Sequence, residues 1–215
     1  MGRRALPKID PALDLSAALR TLDELPRPFD AAGVFGREAP TELEVGSGKG
    51  LFLATAATAH PERNFLGTEV VPKYARFAAA RCVKRELANV RVVAGDAMRL
   101  LAEWIPDASL AAIHAYFPDP WWKKRHHKRR VFKPSFVRDV ERALVPGGSL
   151  HFWTDVEEYF RNAVELLAAE TKLVGPLSVA ERSAEHDLDY RTHFERRTRL
   201  SGLPVYRSEF RKGKE

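Results

Sequence analysis

Glu42-Leu43-Glu44-Val45-Gly46-Ser47-Gly48-Lys49-Gly50 is the stretch that decides how this 215-residue chain is read. A short strand runs straight into glycine at every second position. Three nucleotide-binding loops look alike here. A phosphate-binding loop needs Gly, four residues, then Gly-Lys-Ser/Thr. Leu43 stands where its first Gly belongs, and Gly50 follows Lys49. A dinucleotide fingerprint needs a glycine where Leu51 stands. What remains is an acid, Glu44, ahead of Gly46, Gly48 and Gly50. Glycines let a ligand approach the backbone closely. The acid favours a cationic or amine-bearing ligand over a pyrophosphate.

Outward from this loop, strands and helices alternate. A helix is expected from Gly50 to Ala59, stopped by Pro61. Asn64–Val70 reads as a strand, and Pro72 opens a helix to about Leu87. Val90–Ala94 is a strand, a short helix covers Met98–Trp104, and Leu110–Phe117 is the next strand. Pro134 opens a helix with Phe136, Val137, Val140 and Leu144 on one face. It ends at the turn Val145-Pro146-Gly147-Gly148. Ser149–Thr154 is a strand, and Asp155 suits the N-cap of the helix that follows. Strands are expected near Gly175–Val179 and Leu203–Phe210, with an irregular or helical segment around Arg191–Arg199. Residues 1–40 read as an irregular lead-in with a short helix over Ala12–Leu22, and 41–215 as the domain proper.

This alternation predicts an α/β fold: a mostly parallel sheet with helices on both faces. Ligands of such sheets sit beyond the carboxyl ends of the strands. That rule selects Gly46–Gly50, Glu69, Asp96, Pro118–Trp122 and Asp155. Glu69 ends the second strand of the regular part, where an acid commonly accepts the hydroxyls of a ribose. Asp96 follows the third and suits an adenine pocket. A sugar, a base and an amino acid side by side describe S-adenosylmethionine. The bland alternatives are a tight turn without a ligand, or another nucleoside.

Ala115–Lys133 reads AYFPDPWWKKRHHKRRVFK. Asp119 is held between two prolines beside Trp121 and Trp122, and a cationic strip follows. Of 35 Lys+Arg the strip holds six (Lys123, Lys124, Arg125, Lys128, Arg129 and Arg130), and the other 29 balance 29 Asp+Glu. The excess of +6 is therefore assignable to one stretch, as expected for a local polyanion site. Lysines and arginines neutralise phosphates, aromatics stack on bases, and a carboxylate accepts hydrogens from a base edge. One of Trp121 and Trp122 would stack on the base and the other pack; the sequence does not choose. His126 and His127 are adjacent, lack a third ligand and lie among cations, so no metal is expected.

Apolar content of 45% allows a substantial core. No apolar stretch approaches a membrane span, and the start, MGRRALPKIDPALDL, is unlike a signal peptide. A single cysteine, Cys82, excludes an intrachain disulfide, which makes a reducing cytoplasm the simplest compartment.

With these pieces in place the chain resembles the bacterial-type tRNA (guanine-N7)-methyltransferases, of Rossmann-like class I methyltransferase fold. The matching motifs are Glu44–Gly50, Gly67-Thr68-Glu69, Gly95-Asp96-Ala97, Phe117–Trp121 with the basic run, Thr154-Asp155 and Thr192-His193-Phe194-Glu195. The resemblance implies a single domain with a seven-stranded sheet. It implies methyl donation from S-adenosylmethionine to a guanine in the variable region of tRNA, the expected partner, by a monomer or homodimer free of membranes. Carried over by motif, Glu44, Gly46, Gly48, Glu69, Asp96, Ala97 and Asp119 would line the donor site. Asp119 would be catalytic, and Lys123, Asp155, Thr192 and Glu195 would contact substrate. Two readings compete. An amino-group methyltransferase would want Asp/Asn-Pro-Pro-aromatic, where this chain has one proline between Asp119 and Trp121. An RNA-binding protein that lost catalysis would not be expected to keep Glu44, Glu69, Asp96 and Asp119.

Overall fold

The computed structural model describes residues 6–121, 123–181 and 183–214, with the Lys124 side chain left aside. Eight strands form one sheet: β1 (Leu19–Thr21), β2 (Thr41–Val45), β3 (Asn64–Glu69), β4 (Val90–Ala94), β5 (Leu110–Tyr116), β6 (Leu144–Thr154), β7 (Val174–Ser178) and β8 (Tyr206–Arg211). Their spatial order is β1-β4-β3-β2-β5-β6-β8-β7. All pairings are parallel except β6 with β8 and β7 with β8. The helices are α1 (Ala31–Phe35), α2 (Leu51–Ala59), α3 (Pro72–Val83), α4 (Ala97–Glu103), α5 (Pro134–Ala143), α6 (Glu157–Glu170) and α7 (His193–Leu200).

Side-chain alternation along the strands divides the interior. Leu43, Val45, Ile113, Ala115, Leu150 and Phe152 join Leu100, Val137, Val140 and Tyr159 in one apolar core with α4, α5 and α6. Leu53, Ala57, Phe65, Ala75, Ala78 and Val92 form a second core under α2 and α3. Glu42, Glu44, His114 and Thr154 are buried as well, so the interior is not purely apolar. Among the described residues no helix is long and apolar enough to cross a membrane.

Four sequence expectations need correction. The sheet has eight strands, not seven, because Leu19–Thr21 pairs in parallel with Val92–Ala94. The helix expected over Ala12–Leu22 is absent. Asp10 and Asp14 each accept a hydrogen bond from the backbone two residues on, at 2.9 and 2.8 Å, and such local bonds compete with a helix. The turn at Val145–Gly148 lies inside β6, as an irregularity in its pairing with β5. The helix after Asp155 starts at Glu157 with Val156 at its cap, so Asp155 is not the N-cap.

Candidate active site

Five adjacent parallel strands, β4-β3-β2-β5-β6, end on one edge of the sheet and deliver their following residues there. Gly46, Gly48 and Gly50 all take positive φ, +76°, +53° and +66°. Ser47 N donates to Thr68 O at 2.7 Å, and Gly48 N donates to Glu69 Oε2 at 2.9 Å, so the turn is tied to the end of β3. Gly50 has a second constraint: a Cβ there would lie 2.7 Å from that of Ala78, so the loop rests on α3. Above Gly46 and Gly48 the space is open.

Glu44 lies beneath this turn, buried. Burial pushes its carboxyl up to about 8; the Ser47 hydroxyl opposes the shift and the charge of Glu69 adds to it. The Ser47 hydroxyl is close enough to act on the carboxyl, yet neither Glu44 Oε2 nor Ser47 Oγ makes a well-formed hydrogen bond among the described residues. Glu69 accepts from Val71 N at 2.8 Å as well as from Gly48, while Val70 beside it is 65% exposed. Asp96 caps α4 through Met98 N at 2.8 Å, and Ala97 begins that helix. An unpaired buried acid, an open glycine cradle and two acids at neighbouring strand ends fit a ligand carrying an amine, a ribose and a base.

On the other side of Glu44, Phe117 leaves β5 with φ +50° while its N–H still donates to Trp153 O at 2.7 Å. This kink carries Pro118-Asp119-Pro120 outward, and Asp119 is exposed. Arg130 holds the loop: its Nε donates to Pro120 O at 2.7 Å, and its guanidinium lies 4.9 Å above Tyr159 and 3.7 Å from Glu158. Arg130 is thus buried and structural, although the sequence assigned it to the cationic strip. The rest of the strip forms a 3-10 turn, Lys124–Arg129, after exposed Lys123. Trp121, at φ +48°, is flanked by His126 at 5.8 Å and by Arg129 at 5.0 Å. Trp122 lies outside the described residues.

Asp155 is half-buried at the end of β6. Thr192 caps α7 by accepting from Glu195 N at 3.0 Å. Glu195, only 3% exposed, accepts from Arg191 N at 2.7 Å and pairs with Arg199 and Arg207 at 3.3 and 3.4 Å. Those partners occupy Glu195 with holding its own segment. The exposed neighbour is Phe194, stacked on Phe117 at 6.0 Å, with Arg197 4.2 Å from its ring. The sequence reading missed Phe117 as an anchor and Arg191, whose guanidinium lies 5.3–5.8 Å from Phe52, Tyr116 and Trp153. The aromatic residues clustered at the ends of β5 and β6 were the available signal.

Comparison with known proteins agrees with this geometry. A family model described as a putative methyltransferase matches residues 38–208. A Rhodopirellula baltica protein named tRNA (guanine-N(7)-)-methyltransferase is 50% identical over 99% of this chain and 80% of its own length. The chain belongs to the tRNA (guanine-N7)-methyltransferase family. An Alkalilimnicola ehrlichii protein of that name is 43% identical over 86% of this chain and 78% of its own length. Among solved structures, the 16S rRNA methyltransferase KamB superposes with a TM-score of 0.61 at 19% identity, covering 90% of this chain and 99% of its own. The tRNA (m1A58) methyltransferase TrmI of Aquifex aeolicus gives 0.51 at 17% identity, over 82% of this chain and 63% of its own. At such identities these two speak to the fold, the Rossmann-like methyltransferase architecture that this family shares.

Proposed function

We infer that this protein transfers a methyl group from S-adenosylmethionine to N7 of a guanine in the variable region of tRNA. The observation carrying the reading is the meeting, on one edge of the sheet, of an amine-seeking glycine cradle and the Asp119 loop with its cationic turn. Family membership supplies the acceptor.

When bound, S-adenosylmethionine supplies an electrophilic methyl on a sulfonium. Glu44 takes the donor's ammonium, the only obvious partner for its unpaired oxygen. Glu69 takes the ribose hydroxyls, and Asp96 with Ala97 borders the adenine. Guanine N7 has a free lone pair at neutral pH, so no proton must leave before attack and no general base is needed. Alignment is the main task, with the attacking atom about 3–3.5 Å from the methyl, and it lowers the barrier by roughly 7–11 kcal/mol. Asp119, exposed and with no partner constraining it among the described residues, accepts from N1–H and N2–H of the guanine and places negative charge near the sulfonium. Trp121, braced by Arg129 and His126, offers a face for the extruded base. Lys123 and Asp155 border the substrate. Thr192 and Glu195, in the segment that presents Phe194, border the substrate as well.

Incubation of the purified protein with labelled donor and bulk unmodified tRNA tests the reading. The expected product nucleoside is 7-methylguanosine. Label in an amino-methylated nucleoside, or tRNA binding without transfer, would overturn it.

A further inference from the structure

Apart from the strip, Lys49 and Arg81 meet His193 in a cationic cluster whose one nearby acid, Asp187, is paired with Arg196 among the described residues. His193, the first residue of α7, has Nε2 3.2 Å from Nη2 of Arg81 on α3. Partial burial of the ring lowers the His193 pKa, and Arg81, Lys49 and Arg196 lower it further against the opposing charge of Asp187. The ring is therefore neutral at neutral pH and accepts a hydrogen from Arg81, which orients the guanidinium. Burial and the neighbouring Arg85 act on Arg81 in the same unfavourable sense. Arg196 has a partner, Asp187, at 2.5 Å. Neither Lys49 nor Arg81 has a carboxylate within ion-pair distance among the described residues. A protein that gathers like charges without an acid forgoes stability unless an anion arrives from outside.

Position indicates which anion. Lys49 is the one charged residue of the glycine turn, and that turn rests on Ala78, one helical turn before Arg81. His193 is exposed and precedes Phe194, which stacks on Phe117 at the base of the Asp119 loop. The cluster thus opens at the rim, on the α3 face of the sheet. The strip leads into α5, which packs on the opposite face. A nucleotide drawn into the cleft between them has one phosphate on each side, and the strip accounts for one side only.

We propose that Lys49 and Arg81, oriented by His193, form a second phosphate-binding subsite that takes a backbone phosphate of the substrate RNA on the α3 face of the cleft. The inference rests on the tRNA reading above. The competing source of an anion is the donor's own carboxylate, and the two are separable by experiment.

The test uses the full chain with Arg81→Gln, Arg81→Ala and Arg81→Lys. Affinity for unmodified tRNA is measured over a series of salt concentrations, and donor affinity by calorimetry. The neutral variants are expected to bind tRNA roughly five- to tenfold more weakly at low salt, with the slope of log affinity against log salt reduced by about one. Arg81→Lys should recover most of both. Donor affinity should not change. Arg81→Gln keeps most of the aliphatic stem and gives up only the guanidinium end, which lies 5.8 Å from the Phe77 ring, so a folding defect confined to Arg81→Ala leaves the test intact. Unchanged tRNA affinity and slope would overturn the subsite. Weaker donor binding with unaltered tRNA binding would overturn it too, and assign the cluster to the donor carboxylate. Failure of the wild type to form 7-methylguanosine would instead strike the functional reading, while the salt slope would still report on Arg81.

Discussion

Glu44→Gln should make the free protein more stable and a poorer enzyme. A carboxyl at about 8 in the folded state, against an ordinary 4.5, keeps a proton that the unfolded chain releases. Because the folded value is the higher one, its contribution is fully present below pH 4.5 and is lost as pH rises towards 8. At 1.36 kcal/mol per unit, the native state has given up about 3 kcal/mol at pH 7 and about 5 kcal/mol above pH 8. Glutamine has the same shape and cannot ionise. Its amide can donate to Ser47 Oγ, which makes no well-formed hydrogen bond in the native protein. The variant should therefore gain up to about 3 kcal/mol at pH 7, roughly 6–12 °C in Tm for a chain of this length.

The assay is thermal or urea unfolding of both proteins from pH 5 to pH 8.5 without donor. The difference between the two stability curves should widen with pH and level off above 8. Calorimetry gives a second readout. Binding the donor's ammonium favours the carboxylate, so the wild type should release close to one proton per donor at pH 7, and the variant none. The variant should also bind donor roughly 10–100-fold more weakly at pH 8, the worth of a hydrogen bond to a charged group. A stability difference that stays flat from pH 5 to pH 8.5, or equal proton release by the two proteins, would refute the assignment of Glu44.

Asp119→Asn should lower kcat by tenfold or more with tRNA affinity unchanged, measured by single-turnover methylation; full turnover would remove the orienting role. Lys128→Ala should weaken tRNA binding and reduce its salt slope by about one. Arg130→Ala should leave the slope unchanged while lowering Tm and activity together, because Arg130 holds Pro120 O. Gly50→Ala should cost more than 1 kcal/mol in urea unfolding, since φ is +66° and the added methyl meets Ala78.

What the sequence disclosed and what it withheld divide along a physical line. The positions of Glu44–Gly50, Glu69 and Asp96 were legible because each lies at or just beyond the end of a strand whose pattern is local. The three-residue β1 was not, because Leu19–Thr21 becomes a strand only when the edge of β4 accepts it. Leu22, meanwhile, packs directly on Gly95 beside Asp96, which ties the lead-in to the site. Arg130 read as one more cation of the strip, because nothing local says that it turns inward onto Tyr159. Glu195 read, by motif, as a substrate contact. Its burial depends on Arg207, which arrives from β8. In each case the missing information was a partner distant in sequence.

The contrast between Glu42 and Glu44 carries this furthest. They are two residues apart on β2 and so share a face of the sheet, and both are buried. Their surroundings differ. Glu42 receives His114 Nε2 at 2.7 Å and Arg63 Nη1 at 2.5 Å, and His114 Nδ1 is in turn 2.9 Å from the Tyr116 hydroxyl. Burial pushes the Glu42 pKa up, but the bonds from His114 and Arg63 outweigh it and hold the carboxyl at about 2. Burial keeps His114 neutral, so its Nε2–H donates to Glu42 while Nδ1 accepts from Tyr116. Glu42→Gln should therefore destabilise the protein at pH 7. The folded pKa is the lower one here, so this contribution is present above pH 4.5 and is lost as pH falls towards 2. The two isosteric changes, one turn of the pleat apart, should shift Tm in opposite directions and with opposite dependence on pH. A protein in which both lower Tm would mean that Glu44 has a partner already, and that the glycine turn is not waiting for one.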